Sequence, residues 1–263
     1  MQQNIKKRLE EINRNGLQLE TGALIDQSFD NYKKIALMAG LAFLIIAIII
    51  TVFLVGGISV FYGLERYVQD FSQLEQNNGL SRNFIIISAV VNTIIAALTA
   101  PFSAGIIKMS SDADNNREFS MGTAFEYYKS TKFISIFTAS LIIASTSALI
   151  GALLQLLNMN FVGTFVSMII SFLTCLTLPL LILGNLSVKD AISNSITLVN
   201  KAPLTILLAL IVAFIGSLTG LIAFCLGVFF TIPYIYCMYY TIYKNIFGSD
   251  ESEIEEIGRS DSY

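Results

Sequence analysis

From Ala202 to Tyr243 the chain runs 42 residues without an Asp, Glu, Lys or Arg. A single helix of that length would measure about 63 Å, roughly twice the ~30 Å hydrocarbon core of a bilayer. The run therefore reads as two membrane spans joined by a short turn, bracketed by Gly220 and Gly227. Four further apolar runs, about 35–62, 83–107, 133–157 and 161–186, each suffice for one span, and Asn158-Met159-Asn160 predicts a tight turn between the last two. Only 13% of the 263 residues are charged, about half the share usual in soluble domains. The expected fold class is an all-α polytopic membrane protein with six spans.

Polar and amphipathic stretches separate the runs. Ile5, Leu9 and Ile12 recur at helical spacing in a polar N-terminal segment, 1–20, which predicts a short surface helix ending near Asn15-Gly16. Its distance from the first apolar run excludes a signal-peptide core, so the segment is expected to stay on the mature protein. Ala23 to Lys34 puts Leu24, Ile25, Phe29 and Tyr32 on one face, with Asp26, Gln27, Asp30 and Asn31 opposite. Leu64, Tyr67, Val68, Phe71 and Leu74 predict a second surface extension. Ser110 to Ser120 reads as a hydrophilic connection, followed by a short amphipathic stretch with Met121, Phe125 and Tyr128 on one face. Val188, Ile192, Ser195, Ile196 and Val199 share a face of a third such helix. Residues 248–263 are acidic and read as a disordered tail.

Three of the four prolines follow a threonine by two residues: Thr99 and Pro101, Thr177 and Pro179, Thr231 and Pro233. Each pair lies in the second half of an apolar run, while Ala23, Ala124 and Ala191 open the surface stretches and Lys34, Lys132 and Lys201 close them. This predicts three tandem repeats, about 21–110, 121–187 and 188–247, inside one membrane domain, 21–247. Each repeat is a surface helix, a span, a turn and a returning span bent at proline. Proline removes a hydrogen bond from the carbonyl four residues earlier, here that of Ala97, Cys175 or Phe229, and the threonine hydroxyl can bond back to reinforce the bend. Such bends either shape the bundle or open a central cavity.

Fourteen Lys and Arg fall on the side of both termini and two, Arg66 and Arg82, on the other, so the termini are expected in the cytoplasm. With no charge inside the spans, proton-coupled transport is disfavoured. The chain has no histidine, and Cys175, Cys225 and Cys237 form no CxxC pair, so neither metal nor other cofactor is expected. No catalytic motif is present, and no enzyme or nucleic-acid-binding role is expected. Asn92 is read as an interhelical hydrogen-bonding group, and Asn185 as an interfacial one. Tyr236, Tyr239, Tyr240 and Tyr243 share a helical face, as an interfacial belt facing lipid or as a groove lining. The small residues Ala96, Ala97 and Ala100 to Gly105, and the Gly216/Gly220 pair, predict close helix packing.

Asp190-Ala191-Ile192-Ser193-Asn194-Ser195 through Lys201, and Gly227 through Pro233 to Phe247, carry a resemblance. The arrangement over about 22–247 resembles a broad group of bacterial six-span membrane proteins, among them the membrane domain fused to some glycerophosphodiester phosphodiesterases. The resemblance implies a bacterial cytoplasmic membrane. The phosphodiesterase domain has no counterpart here, so that activity is not carried over. The expected role is a scaffold or accessory subunit in envelope or lipid homeostasis, with the bilayer and a membrane protein as partners. The alternative is a transporter, channel or lipid-handling protein using a proline-bent cavity.

Overall fold

The computed structural model describes residues 2–61, 63, 65, 66, 68, 69, 72, 82–222 and 226–248. Among them there is no strand. Helix α1 (Gln2–Asn15) precedes α2 (Thr21–Phe61), α3 (Arg82–Asp114) and a 3-10 helix (Met121–Tyr128). Then come α4 (Phe133–Leu156), α5 (Asn160–Leu173), α6 (Thr177–Ile182), α7 (Val188–Lys201) and α8 (Pro203–Leu218). A short 3-10 turn (Thr219–Ile222) leads towards α9 (Gly227–Thr231) and α10 (Pro233–Phe247). Among the described residues, five segments are long and apolar enough to cross a membrane: Thr21–Gly57, Ile85–Asp114, Phe133–Leu156, Asn160–Ile182 and Pro203–Ile222. The expected sixth span is divided into α9 and α10. Ile232, between them, keeps helical dihedrals (φ −51, ψ −38), so the chain continues in the same direction.

The first surface stretch is not a separate helix, because nothing between Lys34 and Ile35 breaks it. Leu24, Ser28, Asn31, Ile35, Ala39 and Ala42 form one buried stripe along α2. Its face differs from the one expected: Asn31 is buried, while Phe29 is 47% exposed. Between the buried Leu24 and Ile35 and beyond them the inward side chains are small or polar (Ser28, Asn31, Ala39, Ala42), while Phe29, Leu37 and Met38 face outward, as suits packing in lipid. The second stretch is a 3-10 helix. Only the third, α7, stands alone. Ser187 caps it by accepting from the Asp190 N–H at 3.2 Å, and Ala202 (φ −138), held out of the helical region by Pro203, separates it from α8. Leu64, Tyr67, Phe71 and Leu74 lie outside the described residues, as do Cys225 and the tail from 249 onward.

Residues 110–114, expected in a connection, continue α3. Ser110, Ser111, Asp112 and Asn115 are all buried. Their charges are compensated locally: Lys108 Nζ lies 2.9 Å from Asp112 and Lys244 Nζ 2.6 Å from Asp114, which also accepts from the Tyr240 hydroxyl at 2.8 Å.

Helix α1 seals the same end of the bundle. Ile5, Leu9 and Ile12 are buried in the main apolar core, and Gly16 (φ +81) provides the left-handed residue that ends the helix. Cations cap the carbonyl ends of the returning helices. Lys34 donates to Ala113 O at 3.1 Å, Lys132 to Ile182 O at 2.7 Å and Arg8 to Ile246 O at 3.1 Å. Each places positive charge on the negative end of a helix dipole. Lys201 donates instead to Asn13 O, at the end of α1, at 3.2 Å. Burial lowers the Lys132 pKa, and the ammonium also donates to the Asn185 side-chain oxygen.

The fourth span breaks at 174–176, and α7 repairs the break. Ser195, fully buried, accepts from the Leu176 N–H at 3.1 Å and donates to Leu173 O at 2.9 Å. Ser195→Ala strands both backbone groups, so a loss of about 1–3 kcal/mol is expected. Thermal unfolding in detergent measures it, and stability equal to wild type would show that the hydroxyl bridge contributes nothing.

Candidate functional site: a hydroxyl-lined groove

Three helices turn uncharged polar stripes towards one another. On α3 the stripe is Ser88, Asn92, Thr99 and Ser103, flanked by Thr93 and Ala96. On α4 it is Ser140, Ser147 and Gln155, alternating with Ala144 and Gly151. On α5 it is Ser167 and Ser171, followed by Thr174 just past its end. Residues three or four apart share a helix face, so each stripe follows from its spacing. Together they line a groove of about 610 Å³. Among the described residues, no Asp, Glu, Lys or Arg lines it. Along α3 the lining runs from Ile85 to Ser103, about 27 Å at 1.5 Å per residue. Asn92, Ala96 and Ser171 are exposed, so the groove has an open flank.

Its other end is closed. Cys175, Thr177, Leu178, Tyr236 and Tyr239 line that end, and Ser103 Oγ lies 3.3 Å from the Tyr236 hydroxyl. Leu176, Leu180, Ala139 and Met238, all buried, belong to the core at this level. Thr177 is only 1% exposed, and its hydroxyl has no hydrogen-bond partner among the described residues.

The three Thr-Pro pairs therefore have three geometries instead of three equivalent bends. Pro101 lies inside continuous α3, where Thr99 donates back to Ile95 O at 2.8 Å. Pro179 sits in the first turn of α6 and Pro233 at the start of α10. A missing N–H costs nothing at a helix start, so both prolines follow a break. Thr99 and Thr177 line the groove. Thr231 lies elsewhere: its hydroxyl donates to Ser217 O at 2.5 Å, bridging α9 to α8. Gly220 permits that approach, since a Cβ there would lie 2.4 Å from both Gly227 C and Thr231 Oγ1.

The tyrosines divide as well. Tyr236 and Tyr239 line the groove. Tyr240 and Tyr243 are buried, and so is Tyr234, because α10 packs between α2, α3 and α8. They form no lipid-facing belt. Asn92, expected to join helices, lines the groove.

The serine and threonine stripes were not anticipated from the sequence, although their spacing was readable. No single member stands out, and their convergence depends on how α3, α4 and α5 are rotated. On another face of α3 a second groove, about 710 Å³, is lined by Ile46, Phe53, Val91, Ile94 and other apolar residues, with Phe125 and Tyr128 among its lining residues. It has the chemistry of an acyl-chain site. Compared with known proteins, the chain matches no family model, no curated protein and no solved structure.

Proposed function

We propose that this chain is a non-enzymatic lipid-handling or transport protein that binds an amphiphile in the hydroxyl-lined groove. The observation that carries the reading is the groove itself. A bundle serving only as a scaffold has no need of an uncharged polar trough about as long as a bilayer core is thick. Hydroxyls and amides in that trough let a polar headgroup leave water without losing all its hydrogen bonds. The open flank at Asn92, Ala96 and Ser171 lets the attached chains remain in lipid.

In the same reading, α9 and α10 together make a sixth span, and the three units descend from one repeat. The helix-end cations support the repeat. Lys34 and Lys132, at matching positions, each cap the returning helix of their own unit, and Arg8 replaces Lys201 in the third. The 14-to-2 distribution of Lys and Arg supports cytoplasmic termini. The chain is then a relative of the bacterial six-span group that it resembles, in the cytoplasmic membrane.

The test is extraction into native-lipid particles and mass spectrometry of what co-purifies. The expected result is one amphiphile enriched over the surrounding lipid. A lipid complement identical to the bulk membrane, with a stoichiometric protein partner, would return the chain to the scaffold role.

A further inference from the structure

We propose that the headgroup taken by the groove is uncharged and rich in hydroxyl donors, as in a polyol or a neutral sugar. This rests on the amphiphile-binding reading and narrows it to a chemical class.

The argument is an account of protons. Ser88 donates to Ile85 O at 3.1 Å, Thr93 to Ala89 O at 2.8 Å, and Thr174 to Ile170 O at 2.7 Å, as Thr99 does to Ile95 O. A carbonyl only accepts, so each of these four hydroxyls has committed its single proton to its own helix. What each offers the groove is a lone pair. Ser140, Ser147, Ser167 and Ser171 have no such bond among the described residues and keep a proton to donate, so the lining offers more acceptors than donors and no full charge.

That bias sorts headgroups. A phosphate or carboxylate brings negative charge to a surface that has hydroxyl and amide donors but no Lys or Arg among the described lining residues to offset the lost hydration. An ammonium brings donors, but no carboxylate lines the groove to offset the loss of its hydration. A neutral polyol brings several O–H donors without a charge to desolvate. Its own oxygens find donors in the amides of Asn92 and Gln155 and in the Thr177 hydroxyl. Thr177 is the second, independent sign of a ligand. Its buried hydroxyl lacks a partner at the closed end of the groove, where a polyol oxygen would complete it.

The full chain is placed in phosphatidylcholine nanodiscs doped either with monogalactosyl diacylglycerol or with phosphatidylglycerol. Native mass spectrometry then counts the lipid retained as the disc is stripped. The galactolipid is expected to be held about tenfold more strongly, the equivalent of roughly one well-made hydrogen bond. Thr177→Val should remove most of that preference. Ser147→Ala provides a second reading should the valine variant fail to fold. Ala96→Phe, which fills the open flank, should abolish retention of either lipid. Phosphatidylglycerol held as well as the galactolipid, and lost in Ala96→Phe, would overturn the polyol assignment and leave the groove as an amphiphile site. Equal retention by wild type and Ala96→Phe, for both lipids, would overturn the groove reading as well.

Discussion

Gly105→Ala is expected to destabilise the folded protein by about 2–3 kcal/mol, near the top of the usual range for overpacking. A Cβ at this position would lie 2.2 Å from the Ala124 carbonyl oxygen and 2.8 Å from its Cα. Those atoms are backbone and cannot rotate away. Either α3 or the 3-10 helix must move. Ala124 is fully buried, and the 3-10 helix is tied down at both ends of its contact. The Tyr128 hydroxyl donates to Leu98 O at 2.7 Å, and Glu126 lies 3.5 Å from Lys108. A shift that relieves the clash loosens both. Gly57→Ala is the control, since a Cβ there meets nothing within 4 Å. Thermal unfolding of the two variants in one detergent decides the matter, and equal midpoints would mean that the close approach is not needed.

Ala96→Phe has the largest expected effect on function. Ala96 is an exposed groove-lining residue on α3, so the ring enters open space instead of a packed core. The folding cost should be limited to helix propensity, about 0.5 kcal/mol. Bound amphiphile should fall to the background of an empty nanodisc, because the ring occupies the flank through which chains and headgroup communicate. Val90→Phe is the matched control: it lies on the same helix, 52% exposed, and outside both grooves. Lipid analysis of the purified variants separates the two. Loss of bound lipid in both would assign the effect to bulk on α3, and retention in both would remove the groove from function.

Pattern in the chain accounts for the positions of most breaks. Pro203 forces the separation of α7 from α8 because the residue before a proline avoids the helical region. No such residue interrupts Lys34-Ile35, and α2 runs straight through. Asn158 adopts φ +58 in the predicted turn. The expectation of equivalent repeats failed where identical motifs met different neighbours. The second Thr-Pro pair follows a break that α7 can stabilise with Ser195, an option that depends on a residue 18 positions after Thr177.

The candidate site was less legible than the fold. Thr99, Thr177, Tyr236 and Tyr239 are legible in the chain, each near a proline or on a tyrosine-rich face. The stripes on α4 and α5 carry no such signal, since serine and threonine in apolar helices commonly satisfy themselves on the preceding turn. Ser88, Thr93, Thr99 and Thr174 do bond back locally, whereas Ser140, Ser147, Ser167 and Ser171 make no such bond among the described residues, and the groove exists because the stripes face one another.

The sequence by itself determined that this chain has helices apolar and long enough to lie in a membrane, and where several of its turns fall. Hydrophobic length and proline position act locally along the chain, and local rules read them. Tertiary structure alone decided that Asp112 and Asn31 are buried, that two of four tyrosines face a groove, and that three polar stripes converge. Those outcomes depend on helix rotation about its own axis, which is fixed by contacts such as Gly105 on Ala124 and Gly220 on Gly227, between residues distant in sequence or across a turn.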